Sequence, residues 1–299
     1  MAQSYSFFST ADRAAPARSR AKKKTVLVTG AAGNIGSYFA AHAHRRYKLV
    51  LMEREGEDVS QITSFGKVIF GDVRDLLFMQ KACRGVDTVL HLAADPSPSA
   101  DWETLKEINI GGTYNTMVAA KAAGVRRVIF ASSIHAVSGY PADYQVHTEE
   151  AVNPGDLYGV SKCFGESLGR YMAEQEGLSV ICLRIGAFQP HSSAVAASGV
   201  GLLDAWVSQR DLHQLIERCI DDQRLKFAIF HALSDNRFKR LDITDARELV
   251  GYDPQDDLTE VNPQLRGLEL DEKVGSHSLR DGQKSGIRKE LKKLGGRRQ

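Results

Sequence analysis

One short β-branched run that breaks into a glycine-rich turn limits what this chain can fold into. Thr25-Val26-Leu27-Val28-Thr29 has the composition of a buried strand, and Gly30-Ala31-Ala32-Gly33-Asn34-Ile35-Gly36 follows it without a spacer. Beyond the turn the apolar residues recur with a helical period. A strand, a tight turn and a helix N-terminus in that order form a dinucleotide site. Gly30 allows the turn, Gly33 lets the backbone approach a pyrophosphate, and Gly36 lets helix and strand pack closely. Asn34 and Ile35 open the helix at the same place. The glycine spacing is Gly-x-x-Gly-x-x-Gly rather than the commoner Gly-x-Gly-x-x-Gly. The competing reading, an ordinary βα turn, is opposed by the correct flanks.

The next apolar run, Lys48 to Met52, ends in Glu53, about 20 residues past the first glycine. A carboxylate there accepts hydrogen bonds from the adenosine ribose and repels a 2′-phosphate, which favours NAD. Arg54, next in the chain, could instead accommodate NADP.

A second local signal lies far downstream. In Leu157-Tyr158-Gly159-Val160-Ser161-Lys162-Cys163-Phe164-Gly165-Glu166 a Tyr and a Lys stand four residues apart at the start of an expected helix, so both project from one face. A fixed ammonium stabilises a phenolate. Tyr158 is therefore a candidate general base for taking a proton from an alcohol. The pair alone recurs by chance; its context decides.

Between the two signals strands and helices alternate in a βαβ rhythm, which predicts a parallel sheet. Strands are expected at Lys67–Phe70, Val86–His91, Arg127–Ala131 and Ser179–Arg184, with helices at Asp75–Arg84, Trp102–Ala123 and Tyr158–Glu176. The apolar runs are continuous, as in strands buried on both faces. The expected fold is α/β, a Rossmann-type doubly wound parallel sheet with a small C-terminal substrate-binding region. That domain should span residues 25–258, with the substrate part mainly from 185–258.

Composition agrees with one enzyme domain. The chain has 299 residues, and its 42% hydrophobic residues suffice for a large core. No run of 18 apolar residues occurs, so no membrane span is expected. Cys83, Cys163, Cys182 and Cys219 are scattered without ligand spacing; no metal site is expected, and they suit a reducing cytoplasm. The net charge of +2 hides an uneven spread. Residues 1–24 and 263–299 each carry +5, leaving 23 basic against 31 acidic residues between them. Residues 1–24 read as a disordered basic extension, with a transit peptide as the other reading, and 259–299 as a flexible basic tail. No recognition module accompanies the tail, so nucleic-acid binding is not expected.

In such sheets ligands bind beyond the carboxyl ends of the strands. The residues at those ends are Gly30 to Gly36, Glu53, Asp72-Val73, Leu92-Ala93-Ala94, Ser133 and Ile185-Gly186. All of them are expected to line one cleft.

These residues together resemble an extended short-chain dehydrogenase/reductase of the NAD-dependent epimerase/dehydratase group. The resemblance rests on Thr29-Gly30-x-x-Gly33-x-x-Gly36, Asp72-Val73, His91-Leu92-Ala93-Ala94, Asn109 in Asn-Ile-Gly-Gly-Thr, Ser133 and Tyr158-x-x-x-Lys162, and covers residues 25–258. It implies NAD as cofactor and catalysis by Tyr158 as base. Lys162 would lower the Tyr pKa and bind the nicotinamide ribose, and Ser133 would polarise the substrate oxygen. Asn109 would support a proton-relay water, with a structural place inside its helix as the alternative.

Finer features are similar to uronate dehydrogenases: Phe130-Ala131-Ser132-Ser133-x-His135, Leu157 through Glu166, Arg184-Ile185-Gly186, Trp206-Val207-Ser208 with Asp211, and Gly251-Tyr252-x-Pro254-x-Asp256. That group oxidises the C1 hydroxyl of a sugar acid to a lactone. Ser133, Ile134, His135 and Ala187 would then face the substrate. Three positions depart from the group. Ile134 replaces an Asn, Ala187 replaces a Ser, and no arginine occurs in 188–203 to clamp a carboxylate. The resulting expectation is a less polar pocket for a sugar, or a modified sugar acid, with weaker carboxylate dependence. A nucleotide-sugar epimerase or dehydratase would use the same Tyr and Lys, and a non-enzymatic dinucleotide sensor would commonly lack one of them. A homo-oligomer stays open.

Overall fold

The computed structural model describes residues 23–265. The two charged extensions expected from the sequence lie mostly outside the described residues. β1 (Thr25–Thr29), β2 (Lys48–Glu53) and β3 (Lys67–Phe70) are joined through α1 (Asn34–Ala43) and a loop. α2 (Leu76–Ala82) leads to β4 (Thr88–His91). α3 (Trp102–Thr104) then runs through a π-helical segment (Leu105–Gly111) into α4 (Gly112–Ala122). β5 (Arg127–Ser133), a 3₁₀ turn (Ile134–Val137), α5 (Leu157–Glu174) and β6 (Ser179–Ile185) complete the central βαβ units.

The C-terminal part holds β7 (Ala187–Phe188), α6 (His191–Val195), a 3₁₀ turn (Ala197–Leu202), β8 (Trp206–Val207), α7 (Gln209–Asp221), β9 (Phe227–Ala232), α8 (Thr244–Val250) and α9 (Leu258–Val261). Seven strands form one parallel sheet in the order β3-β2-β1-β4-β5-β6-β9, and β7 and β8 pair separately. The chain winds outward from β1 to β3, then crosses back to β4 and winds the other way. The crevice between the ends of β1 and β4 is therefore the topological switch point.

β4 and β5 are buried at every residue, which explains their unbroken apolar runs. One apolar layer packs α1 and α7 on one face, through Phe39, Leu212, Leu215 and Ile216. The other layer carries Met79, Met117, Ala120 and Met172 from α2, α4 and α5. On α7, Leu212, Leu215, Ile216, Cys219 and Ile220 follow the i, i+3, i+4 stripe that such docking demands.

Two expectations need correction. The helix expected over Trp102–Ala123 is continuous but not uniform, because the π-helical segment inserts where Asn109 turns inward. The domain also does not stop at residue 258. Leu258 and Leu265 are buried against Trp206, and Asn262 Nδ2 donates to Ala194 O at 2.7 Å. Residues 259–265 thus belong to the fold, because their apolar side chains cover the β7–β8 region. At the other end, Lys24 is already tied in through an ion pair with Asp221 at 3.1 Å.

Candidate active site

The register of the sheet lines up the strand ends. Thr29 pairs with both Met52 and His91, and Ser133 pairs with Ile185. The residues that follow each strand accordingly rim one cleft of about 730 Å³. Its walls include Gly30, Gly33 to Gly36, Glu53, Asp72, Val73, Leu92 to Ala94, Ser133, Tyr158, Lys162 and Ile185.

At one end the glycine turn shapes an anion cradle. Gly30 adopts φ +69°, and a Cβ there would meet Ala93 N at 3.0 Å. A Cβ on Gly36 would lie 2.6 Å from Gly30 O, so only glycine allows this contact of helix with turn. Gly33 is the N-cap of α1, and no side chain caps the helix there. The first N–H groups of α1 and the positive end of its dipole therefore point into the cleft, as a pyrophosphate requires.

Glu53 lines the cleft beside the glycine turn. Its Oε2 accepts from Ala32 N at 3.0 Å and its Oε1 from Arg54 N at 3.1 Å, so the carboxylate is held at the mouth of the turn. The Arg54 guanidinium turns away to Glu57 at 2.7 Å. Asp72 is gripped by Arg74 at 2.7 Å, and this bond holds its carboxyl below the usual range. Arg74 itself carries no distinctive sequence signal and went unnoticed in the linear pattern.

Below the turn, Thr29 and His91 fix the switch point. Thr29 Oγ1 accepts from Leu92 N and Ala93 N, both at 3.2 Å, and meets His91 Nδ1 at 2.8 Å. His91 Nε2 meets Thr113 Oγ1 at 3.2 Å. Burial, aided by the charge of Lys162, pushes the His91 pKa down to about 3, so this histidine is neutral structure.

The other end gathers the chemistry. Asp156 caps α5 by accepting from Gly159 N at 2.6 Å, which starts the helix at Leu157 and makes Tyr158 its second residue. Lys162 Nζ lies 5.3 Å from the Tyr158 ring centroid and donates to Ala131 O at 2.8 Å. Burial pushes the Tyr158 pKa up to about 12, against the pull of the Ser133 hydroxyl, while Asp156 and Asp95 add to the rise. Burial also pushes the Lys162 pKa down to about 8. Deeper in, Arg184 pairs with Glu166 through two 2.9 Å bonds, and Ser132 Oγ donates to Glu166 Oε1 at 2.6 Å. This buried triad locks α5 to β5 and β6, one turn past Lys162.

The remaining expected residues sit beside the cleft. Asn109 is buried, and its Oδ1 accepts from Asp95 N at 2.8 Å while Nδ2 donates to Asp95 O and Ser161 Oγ. Its polar atoms thus anchor the loop after β4 to α5. Ile134 is buried in the apolar core. Ala187 does not line the cleft, though its neighbours Gly186 and Phe188 do, as strand alternation demands. The His135 and Tyr158 rings stand nearly perpendicular, with centroids 5.4 Å apart. Pro96 and Phe188 line the cleft without having been singled out; each is a bland residue whose role only the fold reveals.

Similarity to known proteins agrees with this geometry. The model of the NAD dependent epimerase/dehydratase family matches residues 26–190. An NAD-dependent glucose-6-phosphate dehydrogenase of Haloferax volcanii is 37% identical, over 83% of this chain and 98% of its own. An L-arabinose 1-dehydrogenase (NAD(P)(+)) of the same organism is 36% identical, over 77% and 96%. A variant of uronate dehydrogenase from Agrobacterium tumefaciens, solved in complex with NAD, superposes with a TM-score of 0.73 at 27% identity, over 82% of this chain and 89% of that one. With the glycine turn, the strand-end cleft and the matched length in agreement, the chain belongs to the NAD-dependent epimerase/dehydratase family.

Proposed function

We propose that this protein is an NAD-dependent sugar dehydrogenase that oxidises the ring C1 hydroxyl of a sugar or sugar acid to a lactone. The observation that carries the reading is the placement of a dinucleotide cradle and a Ser–Tyr–Lys set at opposite ends of one cleft. Tyr158 takes the hydroxyl proton, Ser133 donates to the same substrate oxygen, and Lys162 stabilises the phenolate. NAD, when bound, would supply the hydride acceptor and a cationic ring that favours the Tyr158 phenolate. Gly30, Gly33, Asn34, Ile35 and Gly36 would hold its pyrophosphate, Glu53 its adenosine ribose, and Asp72 and Val73 would flank the adenine end. Leu92, Ala93, Ala94 and Ile185 would border its nicotinamide half. Asn109 acts by holding the Asp95 loop against α5.

The substrate end favours a site with weak carboxylate dependence. The arginines lining the cleft among the described residues are Arg54 and Arg74, and both sit at the adenosine end in ion pairs. An anion clamp at the Tyr158 end would need a charged partner besides Lys162, which is engaged with Ala131 O and faces Tyr158. The relatives named for a sugar phosphate and a pentose are also more identical to this chain than the uronate enzyme. The four cysteines are free, which fits a cytoplasmic enzyme.

NADH release measured against neutral aldoses, sugar phosphates, hexuronates and nucleotide sugars tests the proposal. Stoichiometric NADH with a free sugar is expected. Conversion of a nucleotide sugar with no net NADH would replace the reading with an epimerase or dehydratase.

A further inference from the structure

One carboxylate ties the turn after Ser133 to the first turn of α5. Asp156 Oδ1 caps the helix at Gly159 N, and Oδ2 meets His135 Nδ1 at 2.7 Å; the Asp156 side chain is wholly buried. At the same place a Cβ on Gly159 would lie 2.3 Å from His135 O, so turn and helix touch backbone to backbone. The two elements that carry Ser133 and Tyr158 are thereby held as one unit. The His135 and Tyr158 rings stand nearly perpendicular, at an interplanar angle of 77°. Its side chain is 19% exposed, and Nδ1 is the ring atom engaged with Asp156.

An ionised carboxylate only accepts hydrogen bonds. Facing Asp156, Nδ1 of His135 must carry the proton, and in the neutral ring Nε2 is then a bare acceptor. We propose that Asp156 is a positioning residue that holds His135 in this tautomer, so that Nε2 is left as the acceptor for a sugar hydroxyl. The proposal rests on the sugar-dehydrogenase reading and deepens it by naming the group recognised near the reacting carbon. An acceptor nitrogen binds a hydroxyl and disfavours a carboxylate or phosphate oxygen, which lacks a proton to give. This agrees with a substrate wall free of arginine at the Tyr158 end.

Asp156→Asn is the decisive change. The single amide oxygen stays with the Gly159 N–H, and the NH₂ group then faces His135 Nδ1 and must donate to it. The proton moves to Nε2, and an acceptor becomes a donor. Long-range ¹H–¹⁵N spectra of the histidine rings should report Nδ1–H for His135 in the wild type and Nε2–H in the variant. With the sugar that the wild type oxidises best, KM for sugar should rise about ten-fold or more, the size of one hydrogen bond turned from favourable to opposed. KM for NAD should stay within about two-fold.

Asp156→Ser keeps a capping oxygen and frees the ring, so its KM should fall between the two; it also serves if the Asn protein folds poorly. In a His135→Phe background, Asp156→Asn should leave the sugar KM unchanged. A wild-type His135 that is doubly protonated or Nε2–H at assay pH overturns the proposal. So does an unchanged sugar KM in a variant whose tautomer has switched, or an undiminished effect in the Phe background. A wild type that releases no NADH from any sugar sinks the dehydrogenase reading and the hydroxyl assignment with it, while the tautomer switch is still read from the spectra.

Discussion

Replacing Lys162 with methionine should make the protein more stable and nearly inactive at once. Lys162 is 4% exposed, and burial lowers its pKa from 10.5 to about 8. At about 1.4 kcal/mol per pH unit, keeping this charge inside costs about 3 kcal/mol at pH 7. Methionine has a similar length and no charge, but it gives up the 2.8 Å bond to Ala131 O, worth about 2 kcal/mol because its donor is charged. The net gain is about 1 kcal/mol, or roughly 3 °C in Tm for a domain of this size. The pH dependence identifies the cause. Between about pH 8 and 10.5 the unfolded chain holds a proton on Lys162 that the folded chain has lost, so wild-type stability rises with pH across that window. Below pH 8 both states are protonated and the whole penalty is present. Tyr158 does not interfere below pH 10, because its pKa is raised rather than lowered. Urea unfolding without NAD at pH 7 and pH 10 is the assay. The variant should lead by about 1 kcal/mol at pH 7 and fall behind the wild type by about as much at pH 10, while turnover falls at least ~10²-fold. A variant less stable than wild type at pH 7, or a lead that does not shrink with pH, would refute the reasoning.

Three further outcomes are expected. Tyr158→Phe removes the ionisable hydroxyl at almost constant volume, so NAD binding by titration should survive while turnover drops at least ~10²-fold; near-normal turnover would remove the base from the mechanism. Glu53→Ala should relax a preference for NAD over NADP, read as the ratio of kcat/KM values, because the carboxylate repels a 2′-phosphate at this end of the cleft. Equal use of both cofactors by the wild type would instead assign that pocket to Arg54. Gly36→Ala places a Cβ 2.6 Å from Gly30 O and 2.8 Å from Ala31 Cα. It should weaken NAD binding at least ten-fold and destabilise by about 1–3 kcal/mol; unchanged binding in calorimetry would mean that the turn gives way freely.

What the sequence determined by itself was whatever local rules govern. Gly30 and Gly36 had to be glycine because the turn's φ and the helix approach exclude a Cβ, and their spacing displays this in the linear chain. Tyr158 and Lys162 share a helix face through a four-residue period, and the unbroken runs of β4 and β5 announce burial on both sides. Tertiary structure decided the rest, because it depends on partners remote in the chain. Asn109 is drawn to Asp95 and Ser161 by the π-helical segment, which no periodicity reveals. Ile134 leaves the substrate wall because the 3₁₀ turn after Ser133 buries it in the core. Residues 259–265 read as charged tail, yet Leu265 finds an apolar seat against Trp206 that exists only once β7 and β8 have paired. Asp156 looks like a simple helix cap, and its second oxygen acquires a role only because folding brings His135 within 2.7 Å. Local conformational preference is written in neighbouring residues, whereas the direction a polar side chain faces is set by whichever distant group can satisfy it.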